Sequence, residues 1–271
     1  MTGRKACLGL AAALAAAAFF CVGLRAAQAQ KIPLVIEVLS PLPEIAEAAA
    51  PAEDQPRVLI YHTHTWEAYE MTDEARYAPT ETWRTKDEGH NMIRVGEALA
   101  AELTARGFFV VHDKTAFEPP NLSASYTRSL AMLRRRIDAG EHYDYILDVH
   151  RDAYSGPYNG ANSVSHEGSS MAYVMLLVGK GTGATGSGFD ERPDWPKNLE
   201  LAQQITDSMQ EIVPGVTRQV KVKTGRFNQH VSTGALLIEV GNNRNTLGEA
   251  LAACPVIAEA LADTHAARSS D

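Results

Sequence analysis

The chain has 271 residues, 45% of them hydrophobic and 21% charged, with a formal net charge of −8. That length suits one α/β domain, or at most two small ones, with a sizeable core, and the composition excludes a wholly disordered polymer.

The first 29 residues stand apart. Arg4 and Lys5 precede an alanine-rich apolar run over residues 6–24, and Ala27, Gln28 and Ala29 form a small-x-small site before Gln30. This is the pattern of a secretory signal peptide, so residues 1–29 are expected to be a leader and the protein to act outside the cytoplasm. Left uncleaved, the same run would be nearly long enough to anchor the chain in a membrane. Cys21 follows Phe20 rather than a small residue, which argues against a lipoprotein. Cleavage removes three of the 25 basic residues and none of the 33 acidic ones, leaving 22 against 33 and a net charge of −11. No extended basic block remains, so nucleic acid and anionic membrane surfaces are disfavoured as partners. Cys254 is then the one cysteine left. No intramolecular disulfide is available to it, and its place in an alanine- and leucine-rich helical pattern reads as buried and structural.

Residues 30–56 lack a regular period and carry five prolines, which reads as a linker with one short extended piece at 33–39. From residue 57 strands and helices alternate. Residues 58–62 form a strand. Met92, Val95, Leu99 and Leu103 make residues 91–106 an amphipathic helix that Gly107 ends. A strand at 108–112, a helix at 122–139 and a buried strand at 145–150 follow. Residues 171–178 read as one strand, 179–188 as a Gly-, Ser- and Thr-rich loop, and 195–213 as a helix. Strands at 219–223 and 235–240 precede a closing helix at 246–267, with a kink expected at Pro255. This alternation implies an α/β domain over residues 57–271, a largely parallel sheet with helices on both faces. Ligands in such sheets collect at the carboxyl ends of the strands.

Three predicted core strands end in residues that a core would reject. RVLIYHTH (57–64) ends in two imidazoles, YILDVH (145–150) in a third, and ALLIEVG (235–241) carries a lone Glu239. One histidine at a strand end is ordinarily a hydrogen-bonded or exposed residue. Two such strands, beside an apolar strand holding a single carboxylate that would be costly to bury unpaired, point to a shared site at which His64, His150 and Glu239 converge. Imidazoles and carboxylates in a cleft suit Zn²⁺, whose catalytic sites take three protein ligands, a water and a nearby base. His62, two residues from His64, would share its face on a continuing strand, as an alternative ligand or a support. His112 is expected near the same rim, and His90 and His230 as accessories.

Four ordered blocks then resemble a known family: VLIYHTHTWE (58–67), ILDVHRDA (146–153), FNQ (227–229) and LLIEVG (236–241), with NMIRVG (91–96) and VHD (111–113) between them. They look like the signature blocks of stage II sporulation protein P, over roughly residues 57–260. The resemblance implies a zinc amidase/exopeptidase-like fold and a zinc-dependent N-acetylmuramoyl-L-alanine amidase. Its substrate would be peptidoglycan, cut between muramic acid and the stem peptide and in some members also at peptide cross-links. It implies His64 and His150 as metal ligands and Glu239 as the catalytic carboxylate. The third ligand is expected four residues before the Asn that opens the first helix. Counting back from Asn91 gives Asp87, with Glu88 as the alternative and Glu67 as a further candidate. Arg151, Asn228 and Gln229 are expected to hold the substrate's amides or carboxylates, and Arg151 equally to pair with Asp148 or Asp152.

The cleavable leader departs from the anchored sporulation protein and suits a general envelope or division hydrolase as well. The residues name no particular envelope partner. Two other readings remain open at this point. One is a zinc carboxypeptidase or N-formylglutamate-type amidohydrolase, which would act on short peptides or free amino acids. The other is a catalytically inactive wall-binding module, against which Glu239 argues. No Gly-x-Ser-x-Gly nucleophile motif occurs.

Overall fold

The inner strands of the central sheet are buried and largely apolar on both faces, so helices must cover both. The computed structural model describes residues 52, 54–156, 162–182 and 191–270, which fall in one compact unit, Ala50–Asp271. The expected leader and most of the 30–56 segment lie outside the described residues.

The six strands of the main sheet are β1 (Arg57–Tyr61), β2 (Phe109–His112), β3 (Tyr145–Asp152), β6 (Val174–Gly179), β7 (Lys221–Lys223) and β8 (Ala235–Asn242), in the order β2-β1-β3-β8-β6-β7. β2, β1, β3 and β8 run parallel. β6 is antiparallel to β8, and β7 is parallel to β6. The sheet is thus largely parallel with a reversed edge. β3 connects to β6 through a hairpin rather than a crossover helix, and the strand expected at 171–178 ran the end of that hairpin together with β6. β4 (Ser163–His166) pairs antiparallel with β5 (Ser169–Ala172), ahead of β6. The turn between them places Glu167 at φ 48° and Gly168 at φ 81°, the left-handed pair that a two-residue hairpin requires.

Val58, Ile60, Leu147, Val149, Leu236, Ile238 and Val240 face one side. There they are covered by α1 (Met92–Ala105), α3 (Trp195–Ile212) and α4 (Leu247–Ser269). Leu59, Tyr61, Ile146 and Ala235 face the other side, where α2 (Ser125–Asp138) packs through Met132 and Leu133. Each fully buried aliphatic side chain contributes about 1.5–3 kcal/mol, so both faces are held independently. α1 is capped by Asn91, whose side chain accepts from Ile93 N. Thr246 and Glu249 form a reciprocal capping box on α4, which continues through Pro255. Cys254 is buried within α4.

Candidate active site

The period of two that sorts the core also aims the polar residues. In β3, Ile146, Asp148 and His150 share the α2 face, as do Ala235, Leu237 and Glu239 in β8. His150 lies directly opposite Glu239 in the β3–β8 register. Both are buried.

β1 stops at Tyr61 and the chain enters a turn, so His62 and His64 do not share a face as a continuing strand would have made them. The His62 ring is buried on the α1 side, where its Nδ1–H donates to Val149 O at 2.8 Å. Its bare Nε2 must then accept from His112 Nε2–H at 2.9 Å. Burial foremost, with the neighbouring imidazole, lowers His62 to about 3. Burial and Lys114 lower His112 to about 4. His62 therefore braces the backbone beside His150 from the opposite face of the sheet, and His112 joins it there.

The turn carries His64 and Glu67 to the α2 face. Glu67 N donates to His64 O at 3.3 Å, and the Glu118 carboxylate accepts from Trp66 N at 3.0 and 3.1 Å. Asp148 Oδ1 accepts from Thr63 N at 2.8 Å, and its Oδ2 from Thr63 Oγ1 at 2.7 Å. One ligand atom each from His64, Glu67 and His150 lie within 4.8 Å of one another. His150 Nδ1 stands 3.4 Å from Glu67 Oε2, and His64 Nδ1 3.6 Å from Glu67 Oε1. For bonds of 2.0–2.1 Å, ligand atoms at the corners of a zinc tetrahedron stand about 3.3 Å apart. Two imidazoles and one carboxylate at this spacing fit zinc in both donor chemistry and size.

Electrostatics favour a cation there. Burial opposes charge on Glu67, yet His150, His64 and Arg151 hold its carboxyl well below the usual range. Burial likewise opposes charge on His150, but Asp148 and Glu67 raise it well above its ordinary value. His150 Nε2 lies 2.8 Å from Asp148 Oδ1, an ion-pair contact bent off the line of a good hydrogen bond. It leaves Nδ1 facing Glu67. Burial pushes Glu239 up to about 8, with Glu67 and Asp152 adding to the effect and His150 opposing it. Glu239 Oε2 is buried with no hydrogen-bond partner among the described residues. Tyr126, from the first turn of α2, sets its ring edge against His64 at 5.6 Å between centroids.

The structure does not bring Asp87 or Glu88 into this group. Both are exposed in the loop before α1. Asp87 is occupied by His90 Nδ1 at 2.9 Å and Gly89 N at 3.0 Å, so counting back from Asn91 reaches a turn-stabilising residue. Glu67 is the carboxylate that lies within 4.8 Å of the His64 and His150 ligand atoms. The side chains expected to hold substrate are engaged within the protein. Arg151 Nε donates to Ala68 O at 3.1 Å, and its Nη2 to Trp83 O at 3.2 Å. Asn228 Nδ2 donates to Tyr126 O and Ser129 Oγ, both at 3.0 Å. Gln229 bridges Gly179 N and Leu177 O, both at 2.8 Å. His90 serves Asp87, and buried His230 lies 3.7 Å from Glu191. Sequence reasoning missed Tyr126 and the bracing role of Asp148. Tyr126 sits in an ordinary helical pattern and emits no signal, whereas Asp148, an acid inside an apolar strand, carried the same signal as Glu239.

The family model described as Stage II sporulation protein P (SpoIIP) matches residues 28–262. Stage II sporulation protein P of Bacillus subtilis (strain 168) is 26% identical over 223 residues, 78% of this chain and 52% of the relative. The chain thus spans about half the length of that curated relative. Among solved structures, it is similar to the N-acetylmuramoyl-L-alanine amidase of Clostridium difficile 630, with 15% identity, a TM-score of 0.47, and 80% of this chain and 98% of that one covered. It is also similar to the CwlD amidase of Clostridioides difficile, solved in complex with the GerS lipoprotein, with 13% identity, a TM-score of 0.49 and 80% and 100% coverage.

Proposed function

The chain belongs to the stage II sporulation protein P family, and from that premise we propose that it is a zinc-dependent hydrolase of peptidoglycan. It cleaves the amide between the lactyl group of N-acetylmuramic acid and the first residue of the stem peptide. The observation that carries this reading is the His64, Glu67 and His150 group with the unpaired carboxylate of Glu239 in register beside it. His64, Glu67 and His150 would hold the ion. Zinc bound there would lower the pKa of a water towards about 7 and polarise the scissile carbonyl.

The chain's own residues do the rest. Asp148 and the Thr63 hydrogen bonds fix His150 and the His64 turn in one arrangement, as supporting carboxylates do around metal-bound imidazoles. Glu239 lies outside the His64, Glu67 and His150 group, and its Oε2 has no hydrogen-bond partner among the described residues, which leaves it free to act as the base. It takes the water's proton and passes it to the leaving amine, as base and then acid. A cation beside it would favour its ionised form. A carboxypeptidase would need a cation to grip the substrate's terminal carboxylate. Arg151, next to His150 in sequence, is instead spent on backbone carbonyls. With residues 1–29 read as a secretory leader, we propose that the activity lies outside the cytoplasm.

The test is metal content with turnover. The purified chain should hold about one zinc and lose activity to a chelator, with zinc restoring it. His64→Ala, Glu67→Ala and His150→Ala should each lose the metal, and Asp87→Ala should keep it. Full zinc in the Glu67 variant, or its loss in the Asp87 variant, would overturn the ligand set.

A further inference from the structure

Resting on that reading, we infer that the Tyr126 hydroxyl donates a hydrogen bond to the carbonyl oxygen of the scissile amide as that oxygen gains negative charge. α2 is the helix that covers the site's face of the sheet, and Tyr126 lies in its first turn. The ring meets His64 edge-on at 5.6 Å and Phe227 at 5.7 Å, at interplanar angles of 78° and 74°.

Its backbone is pinned to the metal-site turn by a chain of hydrogen bonds. Asp148 accepts from Thr63 Oγ1, which meets Ser129 Oγ at 2.9 Å. Asn228 Nδ2 then donates to both Ser129 Oγ and Tyr126 O. The groups that hold the ligand turn therefore also fix where the phenol stands. Burial foremost, then the charges of Asp148, Glu239 and Glu67, raise the pKa of the Tyr126 phenol, consistent with its ring contact to His64.

The hydroxyl itself has no hydrogen-bond partner among the described residues. Other tyrosines contrast with it. Tyr69 donates to Val240 O and Tyr77 to Tyr69 O, both at 2.7 Å. Tyr143 donates to Glu141, and Tyr145 meets His265 Nδ1 at 3.1 Å. A half-buried phenol held on both ring flanks, edge-on to His64 and with its donor unspent, is prearranged to stabilise developing charge. A phenol is protonated at neutral pH, so it serves as a donor throughout. Arg151, Asn228 and Gln229 are spent elsewhere, which leaves this donor available for the carbonyl oxygen.

Tyr126→Phe removes the hydroxyl and keeps the ring against His64. The full chain and this variant are compared in zinc content, melting temperature, kcat and KM on muropeptides. Their affinity is also measured for a muropeptide in which a phosphinate replaces the lactyl–alanine amide. The variant should keep zinc, melting temperature and KM. Its kcat and its affinity for the phosphinate should fall in parallel, by about 10²-fold, the scale for losing one oxyanion donor. Unchanged kcat and phosphinate affinity would overturn the inference, as would a change confined to KM. Loss of zinc by the Phe variant would also overturn it, because the hydroxyl would then act on His64. A wild-type chain that holds zinc yet neither cleaves muropeptides nor binds the phosphinate would instead refute the proposed function, and this inference with it.

Discussion

Glu239 illustrates how one residue gains meaning from its neighbours. A carboxylate inside an apolar strand costs free energy unless it is paired, and its Oε2 is not. Glu239→Gln preserves size and removes the basic oxygen, so it should retain zinc and fold while turnover falls by about 10²-fold or more. Zinc titration and muropeptide kinetics on one preparation check this. A variant that loses zinc would make Glu239 a ligand, and one with near-normal turnover would remove it as the base. Glu239 and His150 were legible in the sequence because alternation fixes a strand residue's face. Glu67 stood out less, since its position comes from a turn whose direction depends on Glu118 and Asp148, far away in sequence. The count from Asn91 reaches Asp87, which lies outside the His64, Glu67 and His150 group, because a spacing fixes no direction in a loop.

At the scale of elements, the approach of α1 to the end of β1 is set by Gly96. A Cβ there would come within 2.4 Å of His112 Nε2 and 2.5 Å of His62 Nε2. His62 cannot yield freely, being tied to Val149 O. Gly96→Ala gains up to about 1 kcal/mol of helix propensity and meets an overpacking cost of about 1–3 kcal/mol. The variant should be less stable than wild type in a denaturant titration, and a rise in stability would show that the rings move aside. The imidazole pair also gives a pH signature. With folded values of about 3 for His62 and about 4 for His112 against an ordinary 6.5, the unfolded chain binds protons first as pH falls. The pair's contribution is complete above about pH 6.5 and is lost progressively as pH drops towards 4 and then 3, by a few kcal/mol in all, as an order of magnitude. Wild type should therefore lose stability relative to a His62→Gln, His112→Gln double variant over that range. Parallel curves for the two would contradict the buried neutral pair. The helices and core strands were legible from their periods. The β4–β5 hairpin was not, because it turns on Glu167 adopting a left-handed conformation that its type does not advertise.

Across the whole molecule, parallel β1, β3 and β8 deliver their carboxyl ends to one edge, and the α2 face collects the polar residues that the core excludes. The largely parallel sheet was legible from strand–helix alternation, while the reversed β6 edge depended on the hairpin. The resulting site gathers Glu67, Asp148 and Glu239 around His64 and His150, oxygen and imidazole donors that suit a divalent cation. The most direct test of the account is mass spectrometry of defined muropeptides after incubation with the zinc-loaded full chain. The account predicts fragments separated at the lactyl–alanine amide, giving a free stem peptide and an intact muramic acid, and none of these with chelator present. Intact muropeptides, cleavage confined to bonds within the stem peptide, or the same products in the presence of chelator would contradict it.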